Sequence, residues 1–193
     1  MSVVVAILAG GAGRRIGGDK PHRLLGGARL LDHALTHAHV IAAPSVLVAR
    51  SPEQVAGFDG TVVLDAPGIE GPLAGLLSAL SWAAAAGADR VLTLACDMPF
   101  LPDDLHHRLE QALTSEVGVA VAASDGRLHP VCALWRTAVV PTLVRRAEEG
   151  RLSLRGLSEA VGCAVVDWPV EGGDPFMNIN TAEDMAAAEA VLT

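Results

Sequence analysis

The sequence has no tyrosine and only three phenylalanines and three tryptophans, so aromatic side chains make up 3% of its 193 residues. A core without aromatic bulk has to be aliphatic, and 51% of the residues are hydrophobic, with alanine, valine and leucine available to build it. Such packing suits α/β domains, whose buried parallel strands read as Val/Ile/Leu runs. Positive charge is also scarce: 14 Lys and Arg stand against 22 Asp and Glu, a formal net charge of −8. With no basic stripe to release counterions from a phosphate backbone, non-specific nucleic-acid binding is excluded. A single nucleotide is not, because it needs only a few local donors and a metal.

Three cysteines, Cys96, Cys132 and Cys163, lie far apart in sequence. An odd, unpaired set is neither a disulfide framework nor a zinc site, and predicts reduced, buried thiols in a cytoplasmic protein. No apolar run approaches the ~20 residues needed to span a bilayer. Residues 3–9 are apolar, but too short and without the preceding basic stretch of an export signal, so they read as a buried first strand. Neither a membrane nor a nucleic acid is expected as a partner.

Strand-length apolar runs alternate with helical spacing along the chain. Strands are expected at 3–9, 46–49, 62–64, 91–95, 117–122, 131–135 and 163–167, and helices at 28–39, 72–86, 102–113, 138–149 and 181–192. Pro72 sits at a helix first turn, Thr181 with Asp184 resembles a capping box, and Asp125-Gly126 signals a turn. Alternating strands and helices imply βαβ crossovers. The expected fold is α/β: a single Rossmann-like three-layer domain over 1–193, with a mostly parallel sheet and 131–135 as an antiparallel strand.

The most informative stretch is Leu8-Ala9-Gly10-Gly11-Ala12-Gly13-Arg14-Arg15-Ile16-Gly17-Gly18-Asp19-Lys20, directly after the first strand. Ligands of open α/β sheets sit beyond the carboxyl ends of the strands. Glycines there let backbone N–H groups approach phosphates closely, and Arg15 and Lys20 add positive charge. The loop is not a P-loop, because Asp19 separates Gly18 from Lys20 and Pro21 follows. It is not a dinucleotide fingerprint either, because Ile16 occupies a required glycine position. On its own such a loop is a weak signal, and a flexible connection with exposed basic residues is the alternative reading.

Asp97 ends the strand at 91–95 and Asp65 the strand at 62–64, both at the same expected edge. A carboxylate there can hold magnesium, which takes one or two carboxylates plus substrate phosphates; it can also cap a turn. Gly71-Pro72-Leu73-Ala74-Gly75 leaves room for a base or ribose against the backbone, or simply opens a helix. His33 and His37 are one helical turn apart, but no carboxylate or cysteine completes a metal set, and His106-His107 read as exposed helix surface. His129 reads equally as packing or substrate contact. The three tryptophans read as packing residues.

Taken in order, these segments resemble the molybdenum cofactor guanylyltransferase family, within nucleotidyltransferases of Rossmann-like fold. The carriers are Leu8-Ala9-Gly10-Gly11 with Arg15, Gly17, Asp19 and Lys20; Leu64-Asp65; Gly71 to Gly75; Cys96-Asp97-Met98-Pro99-Phe100-Leu101; His129-Pro130-Val131 with Leu134-Trp135; and Phe176-Met177-Asn178-Ile179-Asn180-Thr181. The resemblance implies magnesium-dependent transfer of GMP from GTP to the terminal phosphate of molybdopterin, with release of pyrophosphate. It implies Asp97 as the magnesium ligand and Arg15 and Lys20 as catalytic charges. Leu8, Ala9, Gly10, Gly11, Lys20, Asp65, Gly71, Pro72 and Asp97 would bind the nucleotide, and His129, Asn178 and Asn180 the pterin-bearing substrate. Proteins that deliver molybdopterin or receive the cofactor are the implied partners. Some members carry an asparagine near the end of the second strand, where this chain has Val48-Ala49-Arg50, so CTP stays open as the alternative nucleotide. An acceptor such as a sugar phosphate, or a regulatory module without turnover, are the further alternatives.

Overall fold

The computed structural model describes residues 2–10, 19–41 and 43–192. In chain order it contains β1 (Val3–Leu8), β2 (Leu24–Leu25), β3 (Ala28–Arg29), α1 (Leu30–Val40), β4 (Ser45–Ala49), β5 (Val62–Leu64), α2 (Pro72–Ala85), β6 (Arg90–Ala95) and α3 (Leu105–Ala112). It continues with β7 (Val119–Ser124), β8 (Arg127–Arg136), α4 (Val140–Glu148), α5 (Leu154–Val161), β9 (Cys163–Trp168) and α6 (Ala182–Val191).

Among the described residues the main sheet has the order β5-β4-β1-β6-β8-β7-β9. β1 pairs in parallel with β4 and β6, β4 with β5, and β7 with β9. β8 alone runs antiparallel, to both β6 and β7. The expected mixed sheet with 131–135 as its antiparallel strand is therefore what forms. Alternation along β1 divides the core between two faces. Val5 and Ile7 pack with α1 and α3, and Val4 and Ala6 with α2, α4 and α5. Helices on both faces make the three layers.

Local chemistry explains most boundaries. Pro72 at the first turn opens α2 after Gly71. Thr181 Oγ1 accepts from the Asp184 N–H at 3.1 Å, and the Asp184 carboxylate accepts from the Thr181 N–H at 2.8 Å, a full capping box for α6. Asp125 and Gly126, with φ of 47° and 68°, turn β7 into β8.

Several bounds differ by a few residues from the sequence expectation, as where α3 starts at Leu105 rather than 102 and β7 at Val119 rather than 117, and three elements differ for reasons that the structure shows. The helix expected from residue 28 starts at Leu30, because Gly26 and Gly27 (φ 57° and 83°) form a tight turn that pairs Ala28–Arg29 with Leu24–Leu25. β8 begins at Arg127 rather than 131; Pro130 is tolerated because the β7 pairing slips between Val121 and Ala122. α5 was not expected at all. It is eight residues long and contains Gly156, and its start is held by the Ser153 hydroxyl, which accepts from the Gly156 N–H.

Some side chains also depart from expectation. Cys96 and Cys132 are free and buried, and burial pushes both thiols up to about 12; Cys163 is free but only half-buried. His106 is half-buried with Nε2 enclosed and unpaired, not surface like His107. The tryptophans pack as expected: Trp135 and Trp168 are buried in the core, and the half-buried Trp82 packs against it. Among the described residues no helix is long and apolar enough to cross a membrane.

Candidate active site

At the carboxyl edge of β5, β4, β1 and β6 lies a cleft of about 210 Å³. β1 contributes Leu8 and Gly10, β6 contributes Ala95 and Asp97, and β5 contributes Asp65. Gly71, Pro72 and Gly75 of the α2 entry line it, as does Asn178 from the segment before α6. The register explains the convergence: Leu8 sits beside both Ala95 and Val48, so the residues that follow each strand emerge side by side.

Lys20 is only 5% exposed. It lies in a short 3₁₀ turn after Asp19, whose φ is 51°. Its ammonium donates to the Asp97 carboxylate and, at 2.7 Å, to Asn180 Oδ1. The Ile179 N–H donates to the Asp97 backbone oxygen at 2.9 Å, which clamps the C-terminal segment to the β6 exit. Lys20 is the only lysine in the chain.

The Asp65 carboxylate lies against two glycines. A Cβ on Gly10 would come within 2.9 Å of Oδ2, and one on Gly75 within 3.1 Å of Oδ1. Burial pushes this carboxyl above the usual range, and the nearby Arg50 charge pulls it back in part.

The remaining expected residues fall elsewhere. Ala9 is buried in the core and its N–H donates to Val48 O at 2.8 Å, so neither its side chain nor its N–H faces the cleft. Gly11 and Arg15 lie outside the described residues. Asn180 reaches Lys20 rather than the cleft wall. His129 is buried on β8, stacked on Phe176 with ring centroids 4.7 Å apart. Ser124 Oγ donates to Asp174 at 2.8 Å, which leaves His129 Nε2–H to donate to Ser124 Oγ, also at 2.8 Å. Burial lowers the His129 pKa. His129 thus ties the β7–β8 hairpin to the segment that leads to Asn178. His33 and His37 each bond a backbone carbonyl, of Leu25 and Pro99 respectively.

Sequence reasoning did not assign Val48, Arg50, Ala95 or Val131 to the site, although all four line the cleft. A charged residue directly after a buried strand at the carboxyl edge was the available signal for Arg50.

A hard divalent cation fits the donors present. Asp97 offers a carboxylate, and Asn178 Oδ1 is enclosed with no hydrogen-bond partner in the same cleft. Among the described residues no group of three or more His, Cys, Asp or Glu side chains gathers at one point, so substrate phosphates would have to complete the shell.

Comparison with known proteins agrees with this geometry. The MobA-like NTP transferase domain matches residues 5–164. The molybdenum cofactor guanylyltransferase of Bradyrhizobium sp. (strain ORS 278) is 43% identical over 197 residues, covering 95% of this chain and 90% of that protein. The protein of the same name from Acidiphilium cryptum (strain JF-5) is 43% identical over 188 residues, covering 95% and 92%. In three dimensions the chain is similar to molybdopterin-guanine dinucleotide biosynthesis protein A from Archaeoglobus fulgidus, with a TM-score of 0.78, 25% identity and 98% of each chain covered.

Proposed function

This chain belongs to the MobA-like NTP transferase family, and on that premise we propose that it transfers GMP from GTP to the terminal phosphate of molybdopterin. A phosphate oxygen of molybdopterin attacks the α-phosphorus of GTP. The new P–O bond forms as the α–β bond breaks, and the electron pair leaves on pyrophosphate. The product is the guanine dinucleotide form of the cofactor. Residues 1–193 act as one nucleotidyltransferase domain.

One observation carries the assignment of roles. The only lysine in the chain is buried between a cleft-lining carboxylate, Asp97, and the C-terminal Asn180. A reaction of this kind needs positioning and charge neutralisation, not a covalent nucleophile. Lys20 and Arg15 neutralise charge on the triphosphate and the departing pyrophosphate. Leu8, Gly10, Asp65, Gly71 and Pro72 hold the nucleoside. Asp97, with Asn178 lining the same cleft, would hold magnesium, which would supply charge neutralisation for the substrate phosphates. Asn178 meets the pterin-bearing substrate, and Asn180 acts on it through the Lys20 ammonium that it holds. Proteins that deliver molybdopterin or receive the product dock transiently, in the cytoplasm.

Thermal unfolding with Mg²⁺ and each of GTP, CTP, ATP and UTP tests this. A nucleotide at ~100 times its Kd adds about 2.7 kcal/mol, or roughly 5–10 °C for a chain of this size. A shift with GTP, followed by pyrophosphate release on adding molybdopterin, is the expected result. A shift with CTP alone would replace guanylyl by cytidylyl transfer.

A further inference from the structure

Asn178 lines the cleft with its Oδ1 enclosed and unpaired among the described residues, so its aim is set by the backbone on either side of it. On the C-terminal side the Ile179 N–H donates to Asp97 O at 2.9 Å. On the N-terminal side Phe176 is buried, stacked on His129 and edge-on to Trp168 with centroids 5.4 Å apart. Asp174 closes the turn that leads there. Its Oδ1 accepts from the Phe176 N–H at 2.9 Å, and its backbone oxygen from the Met177 N–H at 3.1 Å.

The same Oδ1 accepts from the buried Ser124 hydroxyl, which in turn takes the hydrogen bond of His129. His129 stands where the β7–β8 ladder breaks. Ala122 pairs with His129, but the preceding Val121 pairs with Ala133, so residues 130–132 bulge out of the β7 pairing. A bulge re-aims the side chains that it carries, and Val131 of this one lines the cleft. Because β8 neighbours β6, Val131 and Asn178 both stand at the Asp97 end, away from Asp65. Ser124, His129 and Asp174 therefore anchor the two segments that carry Val131 and Asn178, and none of the three lines the cleft itself.

We propose that Asp174 is a positioning residue for the transfer: by accepting from both Ser124 and the Phe176 N–H it locks this cluster, and so holds Asn178 and Val131 where the acceptor phosphate meets the nucleotide. The inference rests on the reading of Asn178 as a contact of the pterin-bearing substrate. It asks no charge of Asp174, only one oxygen that accepts twice, and an amide oxygen has the two lone pairs to do so. Misplacement of a substrate contact by about 1 Å costs on the order of 100-fold in rate.

Pyrophosphate release by the full chain with Mg²⁺, GTP and molybdopterin, beside calorimetric Kd values for GTP, tests it. Asp174→Ala should lower kcat/KM for molybdopterin on the order of 10–100-fold and leave the Kd for GTP unchanged. Asp174→Asn should restore the rate. Asn178→Ala should lose a similar factor, and the double variant Asp174→Ala/Asn178→Ala no more than the worse single one, because one residue acts through the other. If a melt shows that Asp174→Ala does not fold, Ser124→Ala breaks one of the two bonds and enters the same cycle with Asn178→Ala. An unchanged rate, factors that multiply, GTP affinity that falls in step, or Asp174→Asn as impaired as Asp174→Ala would each overturn this inference alone. No turnover of molybdopterin by the wild-type chain would overturn the functional reading and this inference with it.

Discussion

The Lys20 ammonium donates to Asn180 Oδ1 at 2.7 Å across 160 residues of chain, and the same ammonium holds the Asp97 carboxylate. One buried cation therefore joins the segment after the glycine loop, the exit of β6 and the segment before α6. Removing it leaves a cleft carboxylate without its counter-charge and Asn180 Oδ1 without its donor.

Lys20→Met should lower the transfer rate on the order of 10²-fold, as loss of a charge that stabilises the transition state does. Because Lys20 is the only lysine, an amine-reactive reagent can modify no other side-chain amine, and Mg·GTP should protect it. A wild-type rate in Lys20→Met would remove this residue from the mechanism.

Asp97→Ala should abolish magnesium-dependent transfer and keep the fold. The backbone bond from Ile179 to Asp97 O does not depend on the side chain. Pyrophosphate release across a magnesium titration, beside a thermal melt, measures both. Full activity in a folded variant would end the metal role.

Asp65 should cost the free protein stability at neutral pH. Its folded pKa is raised, chiefly by burial, so the stability linked to its protonated form is present below the unfolded value of about 3.9 and is lost as pH rises through the higher folded value. Asp65→Asn should therefore melt at a higher temperature than the wild-type chain at pH 7, with the gap closing as pH falls towards 4. The same variant should bind GTP less well. A gap that does not change with pH would mean that the carboxylate charge is not its source.

Ser124 is fully buried and joins His129 to Asp174. Ser124→Ala leaves the buried His129 Nε2–H without its acceptor and should cost about 1–3 kcal/mol in urea unfolding. The His129 pKa is lowered, mainly by burial. Stability from its neutral form is thus present above about pH 6.5 and is lost as pH falls through the lower folded value. His129→Gln should flatten that part of the stability–pH curve; an unchanged curve would remove the relay.

Much of this protein was legible in its sequence because the signals are local. A run such as Val3–Leu8, a proline at the start of α2, the Thr181–Asp184 capping box and the Asp125-Gly126 turn each act within a few residues. Asp65 and Asp97 could be singled out as well, because each ends a readable strand. The β2–β3 hairpin escaped because the helical spacing of Leu31, Leu35 and Ala38 runs straight up to it. α5 escaped because Gly156 weakens an already short pattern.

The sequence by itself determined most of the strands and helices, and which polar residues stand at strand ends. Only the tertiary structure decided which of those residues meet. The order β5-β4-β1-β6 sets Arg50 and Asp65 at one end of the cleft and Asp97 at the other. It also turns Ala9 into the core and gives His129 to Ser124 instead of the cleft. Strand order and register are settled by the burial of whole faces against distant partners, and no window of local sequence contains that information.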